Sequence, residues 1–377
     1  MKKFLLMAAV GTMMFSACSN DDNLSEIASD GEARPVELSM DFTVSSGAET
    51  RAGRPLYSSE ALQRVNNLQL YIFKDGNYQK SVKIDAFNNQ TAQGDEAHTY
   101  KFTEKLANGN YQFLAVGLEE NEAYKALSFT ENTTTLDEAA LELNDGKDAA
   151  EVFAGVSAQH TVSDDTKSLT ASVTLDRTVA GVLGYFKNIP YEVAKDDEMK
   201  RVMKVCVELI DKGIAANLKD NTTKSKAGTT YKMLTIDLTN EAKADDGNYY
   251  KKDANSANPA TVANSFLAGG YVLPFNNTTE NPTFKVVLYG EGDVVLKTYK
   301  VQVENTTTVN INVEANHFYS LGHKSKDNNT DGTDPENPEG PKDPDKPIDL
   351  SKDQVITITV NANWETIHDL ELGDEVQ

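Results

Sequence analysis

Cys18 is the residue whose surroundings point most directly to chemistry. Lys2 and Lys3 give a short basic start, and Phe4 to Phe15 form an apolar run too short to cross a bilayer. That is the pattern of a secretory signal peptide. Ser16 and Ala17 then set two small residues before the thiol, the lipobox spacing. In a lipobox the chain is cut before the cysteine, residues 1–17 are lost and the thiol is diacylated. Each buried methylene contributes about 0.8 kcal/mol, so two or three acyl chains anchor a protein firmly. An ordinary signal peptide with an unrelated cysteine is the competing reading. Ser19 in the next position, rather than Asp, argues against retention in an inner membrane.

A second candidate for bond breaking is Arg51-Ala52 within Gly47-Ala-Glu-Thr-Arg51-Ala52-Gly-Arg54-Pro55. The stretch is small and polar, the kind a protease can enter. Arg51 is followed by alanine and suits a trypsin-like cut, whereas Arg34 and Arg54 precede proline and should resist one. A chance arginine in a loop is common, so Arg51 gains meaning only from what lies on either side.

Other chemistries are poorly supported. There is no GxSxG, HExxH or phosphate loop, and the five histidines are scattered, so no catalytic residues and no cofactor are expected. Asp327-Asn-Asn329-Thr-Asp331-Gly332 imitates the start of a calcium loop, but its twelfth position is Pro338 instead of Glu, and no metal is expected. Once Cys18 is set aside, Cys206 stands alone, which excludes a disulfide within the chain. It lies in Val202-Met-Lys-Val-Cys-Val-Glu-Leu-Ile210 with no histidine nearby, and reads as a packed side chain rather than a reactive thiol. Trp364 could be a sugar-stacking platform, but its place on an apolar strand face favours a core plug.

The net charge is −22, from 36 basic and 58 acidic residues. Residues 1–51 hold 4 and 8 of these, leaving 32 against 50, or −18, for residues 52–377. Such a surface repels phosphate backbones, so no nucleic-acid partner is expected.

The elements that must position these residues are mostly short strands. Leu68–Phe73, Thr99–Phe102, Tyr111–Val116, Glu151–Ala154 and Leu169–Leu175 are rich in β-branched and aromatic residues. Turns such as Lys74-Asp-Gly-Asn77 and Ala107-Asn-Gly-Asn110 bound them. Met203–Leu209, Met233–Leu238, Phe284–Tyr289, Val294–Val301 and Val309–Val313 repeat the style. One short helix is expected over 136–143, opened by Thr135 with Glu138 three residues on. Strands at this spacing predict an all-β chain of two β-sandwich domains in tandem, assigned to 52–170 and 171–322. After Leu321, Pro335, Pro338, Pro341, Pro344 and Pro347 recur every third residue in an acidic background. Three is the polyproline II period, and residues 335–347 at about 3.1 Å each would make a rod of roughly 40 Å. The rod predicts a linker over 323–350 that holds residues 351–377 away from the second domain, so removing 350–377 should leave both domains folded.

Two segments look interchangeable. Val36, Leu38, Met40, Phe42 and Val44 alternate with Glu37, Ser39, Asp41 and Thr43. Ile356, Ile358, Val360, Ala362 and Trp364 alternate with Thr357, Thr359, Asn361 and Asn363. Each offers five positions on one face of a strand. Both could be ordinary terminal strands. The sharper reading is that the first fills a groove that the second, from a neighbouring molecule, later takes.

In their order along the whole chain these features resemble the Bacteroidota fimbrillins, the type V pilins, and most of all the shaft subunit of the short, or minor, fimbria. The resemblance is carried by the lipobox with acidic Asp21 and Asp22, the alternating strand, Thr50-Arg51-Ala52 and Leu68-Gln-Leu-Tyr-Ile-Phe73. It continues through Leu175-Asp-Arg-Thr-Val-Ala180, Asn316-His-Phe-Tyr-Ser-Leu-Gly322 and the proline-rich tail ending at Trp364. It implies transthyretin-like sandwiches and a lipidated propeptide over 18–51 whose strand is removed when an arginine-specific protease cuts after Arg51. It also implies a C-terminal donor strand that fills the groove of the next subunit. The implied partners are further copies of the chain in a head-to-tail polymer, anchor and tip fimbrial subunits, and a surface receptor of unknown identity. The implied location is the outer membrane surface, then the fimbrium, with a role in cell adhesion. A monomeric glycan-binding surface lipoprotein built from similar sandwiches is the alternative; it needs exposed aromatic platforms and no processing arginine.

Overall fold

Period-two alternation governs the first domain. A computed structural model describes residues 32–44, 67–84, 98–118, 121–220, 223–226, 230–251, 261–325, 345–362 and 364. Its strands are β1 (Arg34–Val44), β2 (Asn67–Lys74), β3 (Asn77–Ile84), β4 (His98–Leu106), β5 (Gly109–Leu118), β6 (Ala140–Glu142), β7 (Val152–Val156), β8 (His160–Val162) and β9 (Ser168–Arg177). Seven of these form one sheet in the order β3-β2-β5-β7-β9-β1-β4, with β8 joined to β5. An ion pair between Lys80 on β3 and Glu104 on β4 brings the two edges together, so the sheet is nearly closed. Inside lie Leu38, Met40, Phe42, Leu70, Ile72, Phe113, Phe153, Val173 and Leu175. The β2–β3 hairpin turns through Asp75 and Gly76 at φ 49° and 84°, the left-handed pair that an Asp-Gly turn supplies at least steric cost.

Twelve strands of the second half follow as β10 (Ala180–Lys187), β11 (Glu192–Lys195), β12 (Glu198–Arg201), β13 (Lys204–Leu209), β14 (Lys212–Asn217), β15 (Thr223–Lys226), β16 (Tyr231–Asp237), β17 (Ala242–Lys243), β18 (Tyr249–Tyr250), β19 (Ser265–Val272), β20 (Phe284–Tyr289) and β21 (Val295–Val303). Three more complete it: β22 (Phe318–Leu321), β23 (Ile348–Asp349) and β24 (Ile356–Asn361). The main sheet runs β16-β13-β20-β21-β24-β22-β10-β19, with β23 joined to β10. The chain is therefore all-β, two β domains in tandem. They are packed together: β6 of the first pairs with β14 of the second. Leu141, Val152, Val179, Leu183, Ala216, Tyr271, Phe318 and Trp364 form one buried cluster across the junction.

Four expectations change. The domain boundary falls after Arg177, not at 170/171, because β9 is needed whole by the first sheet, pairing with β1 and β7. The expected helix over 136–143 stops after one turn at Leu136–Glu138. Glu138 does accept the Thr135 N–H at 2.8 Å, but Ala140–Glu142 then leaves to pair with β14. Residues 309–313 form no ladder among the described residues; Val313 makes an isolated bridge to Phe275, and Thr283 accepts the Ile311 N–H and donates to its carbonyl at 2.8 and 2.7 Å. The expected spacer over 323–350 is docked at both ends. His323 and Lys346 exchange backbone hydrogen bonds, and Leu350 is fully buried against the second core. Ser325 and Asp345 thus lie side by side, and the strand beyond stays in its own domain.

Candidate strand-exchange sites

β1 occupies a slot between β4 and β9. It runs antiparallel to β4 from Arg34/Leu106 to Phe42/His98, and parallel to β9 from Glu37/Ser168 to Val44/Leu175. Among the described residues β4 and β9 do not pair with each other, and β1 alone joins β4 to the rest of the sheet path. Val36, Leu38, Met40 and Phe42 are 0–1% exposed. Glu37 on the other face is exposed. Val44 closes the ladder opposite Leu175. At the first residue Arg34 donates to Asp164 and its carbonyl, and that hydrogen bond holds the Asp164 carboxyl below its ordinary range. Further along, Thr99 donates to Asp41 at 2.6 Å. Cys18, Arg51 and Ala52 lie outside the described residues.

The C-terminal strand has a seat of its own. β24 lies parallel to β21 over Val301/Ile356 to Val303/Ile358, and antiparallel to β22 over Phe318/Asn361 to Ser320/Thr359. Ile356 and Ile358 are 1% exposed, Val360 is half-buried and Ala362 is exposed. The structure thus brings together only part of the expected donor face, and places that part in cis. Both segments have one parallel and one antiparallel neighbour, but the ladders of β24 are far shorter than those of β1. Polar contacts add to the seat: Tyr299 donates to the Leu350 carbonyl, Lys297 pairs with Asp353 at 2.6 Å, and Thr359 donates to Glu304 at 2.9 Å.

Trp364 is a plug, as its strand face suggested, but at the domain junction. It is 1% exposed, packs on Phe318 at 5.0 Å and Tyr271 at 5.9 Å, and lies 3.9 Å from the Arg177 guanidinium carbon. Its backbone N–H donates to the Asn316 carbonyl at 3.1 Å. Gly181 makes the space, since a Cβ there would stand 2.5 Å from the indole. Arg177 also pairs with Glu151 at 2.9 Å, both side chains almost sealed from solvent, and reaches Asn316 at 3.3 Å. The first pair to escape the sequence reading is this one, although it left a signal. Arg177 continues the inward parity of Leu169, Ala171, Val173 and Leu175, where a charge demands a buried partner.

Cys206 is buried against Thr235, 3.6 Å from its hydroxyl, and burial pushes the thiol up. It is a packed side chain. Among the described residues Tyr250, at 46% exposure, is the one aromatic among the exposed large hydrophobics.

A family model described as fimbrillin-A associated anchor proteins Mfa1 and Mfa2 matches residues 31–369. The chain belongs to this family. Membership makes it a fimbrial protein, with a structural role at the cell surface. No curated protein sequence matches the chain. Among solved structures, a candidate cell adhesion protein from Bacteroides eggerthii is 12% identical, with 89% of this chain and 97% of that one covered at a TM-score of 0.46. The fimbrial anchor protein Mfa2 from Porphyromonas gingivalis is also 12% identical, over 78% and 93%, at 0.40. A candidate polysaccharide-binding protein from Bacteroides thetaiotaomicron is 14% identical, over 76% and 91%, at 0.43. The family assignment rests on the family model rather than on these distant superpositions. It does not distinguish a shaft subunit from an anchor or a tip, so the shaft role expected from the sequence is not part of it.

Proposed function

We propose that this fimbrial-family chain reaches the outer membrane surface as a lipoprotein acylated on Cys18, is cut between Arg51 and Ala52, and loses β1. The slot between β4 and β9 then accepts a strand from another subunit, and the chain becomes part of an adhesive fimbrium. The observation that carries this reading is the double character of β1. It is a core strand with four buried apolar side chains, and its covalent link to the body runs through the segment that contains Arg51. Main-chain ladders on two sides would fix the register of an incoming strand, and alternate pockets would select its side chains. A contact that joins the groove of one copy to the tail of the next is heterologous and so grows as a filament.

As donor, residues 356–364 would leave the short ladders to β21 and β22 and enter the longer ones of the next subunit's β4/β9 slot. Ile356, Ile358 and Val360 would then take pockets that Leu38, Met40 and their neighbours vacate. A second reading follows from the buried seat of Trp364: a chain that keeps β24 in cis accepts a strand without giving one, and so ends a filament. Protease and acylation partners are the same in both.

The test is Arg51→Ala in cells that make the filament. The variant should accumulate as an intact surface lipoprotein, and polymer measured by size exclusion and microscopy should fall at least tenfold. Undiminished polymer, with residues 34–44 still attached to its subunits, would count against the loss of β1.

A further inference from the structure

Lys324 and Asp345 form the most deeply buried ion pair among the described residues, their side chains 0% and 1% exposed, with Nζ 3.0 Å from Oδ1. The backbone bridge between His323 and Lys346, with hydrogen bonds of 3.0 and 2.8 Å, sets the two residues opposite each other. Gly322, at φ +89°, lets the segments cross; a Cβ there would stand 2.6 Å from the Tyr185 carbonyl oxygen. Every part of the carboxyl group is held. Oδ1 accepts the Ser325 N–H at 2.8 Å, and Oδ2 accepts the Tyr185 hydroxyl at 2.9 Å. That hydroxyl accepts the Val262 N–H at 3.0 Å, and burial keeps the phenol protonated far beyond the ordinary range. On the other side, Nζ donates to the Ser325 carbonyl at 2.8 Å.

We propose that Lys324 and Asp345 join in an intramolecular isopeptide bond. An amine fixed beside a carboxyl carbon whose two oxygens both receive hydrogen bonds is a near-attack arrangement, in which the entropy of bringing the groups together is already spent. A proton passes from the ammonium to Oδ1, leaving an amine and a carboxylic acid. The amine lone pair attacks Cγ and the N–C bond forms. Negative charge gathers on Oδ2, where Tyr185 donates its hydrogen bond. The Cγ–Oδ1 bond then breaks, and Oδ1 departs as water with a second proton from the nitrogen. The amide keeps Oδ2 as its carbonyl oxygen. Amine plus acid gives amide plus water, and no further reactant enters.

The bond closes residues 324–345 into a ring. Tension on the C-terminal segment then passes from β22 through Lys324 to Asp345, bypassing segment 326–344, and a protease cut in that segment does not detach the tail. Residues 346–364 stay free to keep or leave their seat, so the bond stands whether or not strand exchange occurs.

Intact mass of the folded, full-length protein decides the matter. The chain should be lighter than its sequence by one water, and Lys324→Arg and Asp345→Ala should each carry their full mass. After denaturation and cleavage at lysines, which include Lys326 and Lys342 within the ring, a branched product should join the peptide bearing Lys324 to the one bearing Asp345. Tyr185→Phe removes the hydrogen bond to Oδ2: it should fold, as circular dichroism would report, but form the bond at least about tenfold more slowly. A folded wild-type chain at its full sequence mass overturns the proposal, as does a missing water that maps to other residues.

Discussion

A chain that stops at Asp349 should lose the second domain, and the thermal midpoint should fall by tens of degrees. Leu350, Ile356, Ile358 and Trp364 are each 0–1% exposed. At about 1.5–3 kcal/mol apiece their burial sums to roughly 6–12 kcal/mol as an upper estimate. That is comparable to the whole stability of an ordinary domain, about 5–15 kcal/mol, and equivalent to roughly 15–40 °C in a domain of this size. The loss is also topological. β24 is the strand between β21 and β22, so its removal cuts the main sheet in two. Circular dichroism melts of the truncated and full-length proteins would show it. A graded version compares Ile358→Asp with Thr357→Asp. The first puts a carboxylate into the core and should cost several kcal/mol; the second sits on the exposed face and should cost little. Equal melting of full-length and truncated chains would mean that the C-terminal strand contributes nothing to its own domain.

Glu151→Ala should be the most damaging single change at the domain junction. It leaves the Arg177 guanidinium, 2% exposed as a residue, without the carboxylate it pairs with at 2.9 Å. Orphaning one member of a buried pair costs about 3–5 kcal/mol. Because Arg177 also stacks on Trp364, the damage should reach the C-terminal strand. Trp364 is the sole tryptophan, so its emission reports its seat directly and should shift to the red in the folded variant. Replacing both partners, as in Glu151→Leu with Arg177→Met, removes the orphaned charge and should recover much of the stability. If the single variant melts with the wild type and its emission is unchanged, Arg177 does not depend on Glu151.

How much of this could be read from the sequence depends on the range of the interaction. Local alternation was legible. The faces of β1 and β9 are those their residue types suggested, and Ile356 and Ile358 share a buried face as period two requires. Alternation fixes a face but not a partner. Nothing within Val355–Trp364 says that β21 and β22 are its neighbours, so the sequence leaves a seat in cis and a seat in a neighbouring molecule both open. The proline repeat suggested an extended rod because that is its local preference. What brings Ser325 and Asp345 together is a buried ion pair between residues 21 positions apart, which no local pattern encodes. β10 was overlooked for a related reason. Gly181 and Gly184 weaken its strand signal, although Gly181 is there to admit Trp364 from the far end of the chain. The Thr135/Glu138 cap was read correctly, but a cap starts a helix without setting its length, and pairing with β14 ended this one after a turn.

Whether β1 leaves the subunit is decided by the N-terminal sequence of subunits recovered from surface filaments. A single start at Ala52 is expected, with no peptide from residues 34–44 retained in the polymer. Filament subunits that begin at Cys18, or that carry β1 still seated between β4 and β9, would contradict it.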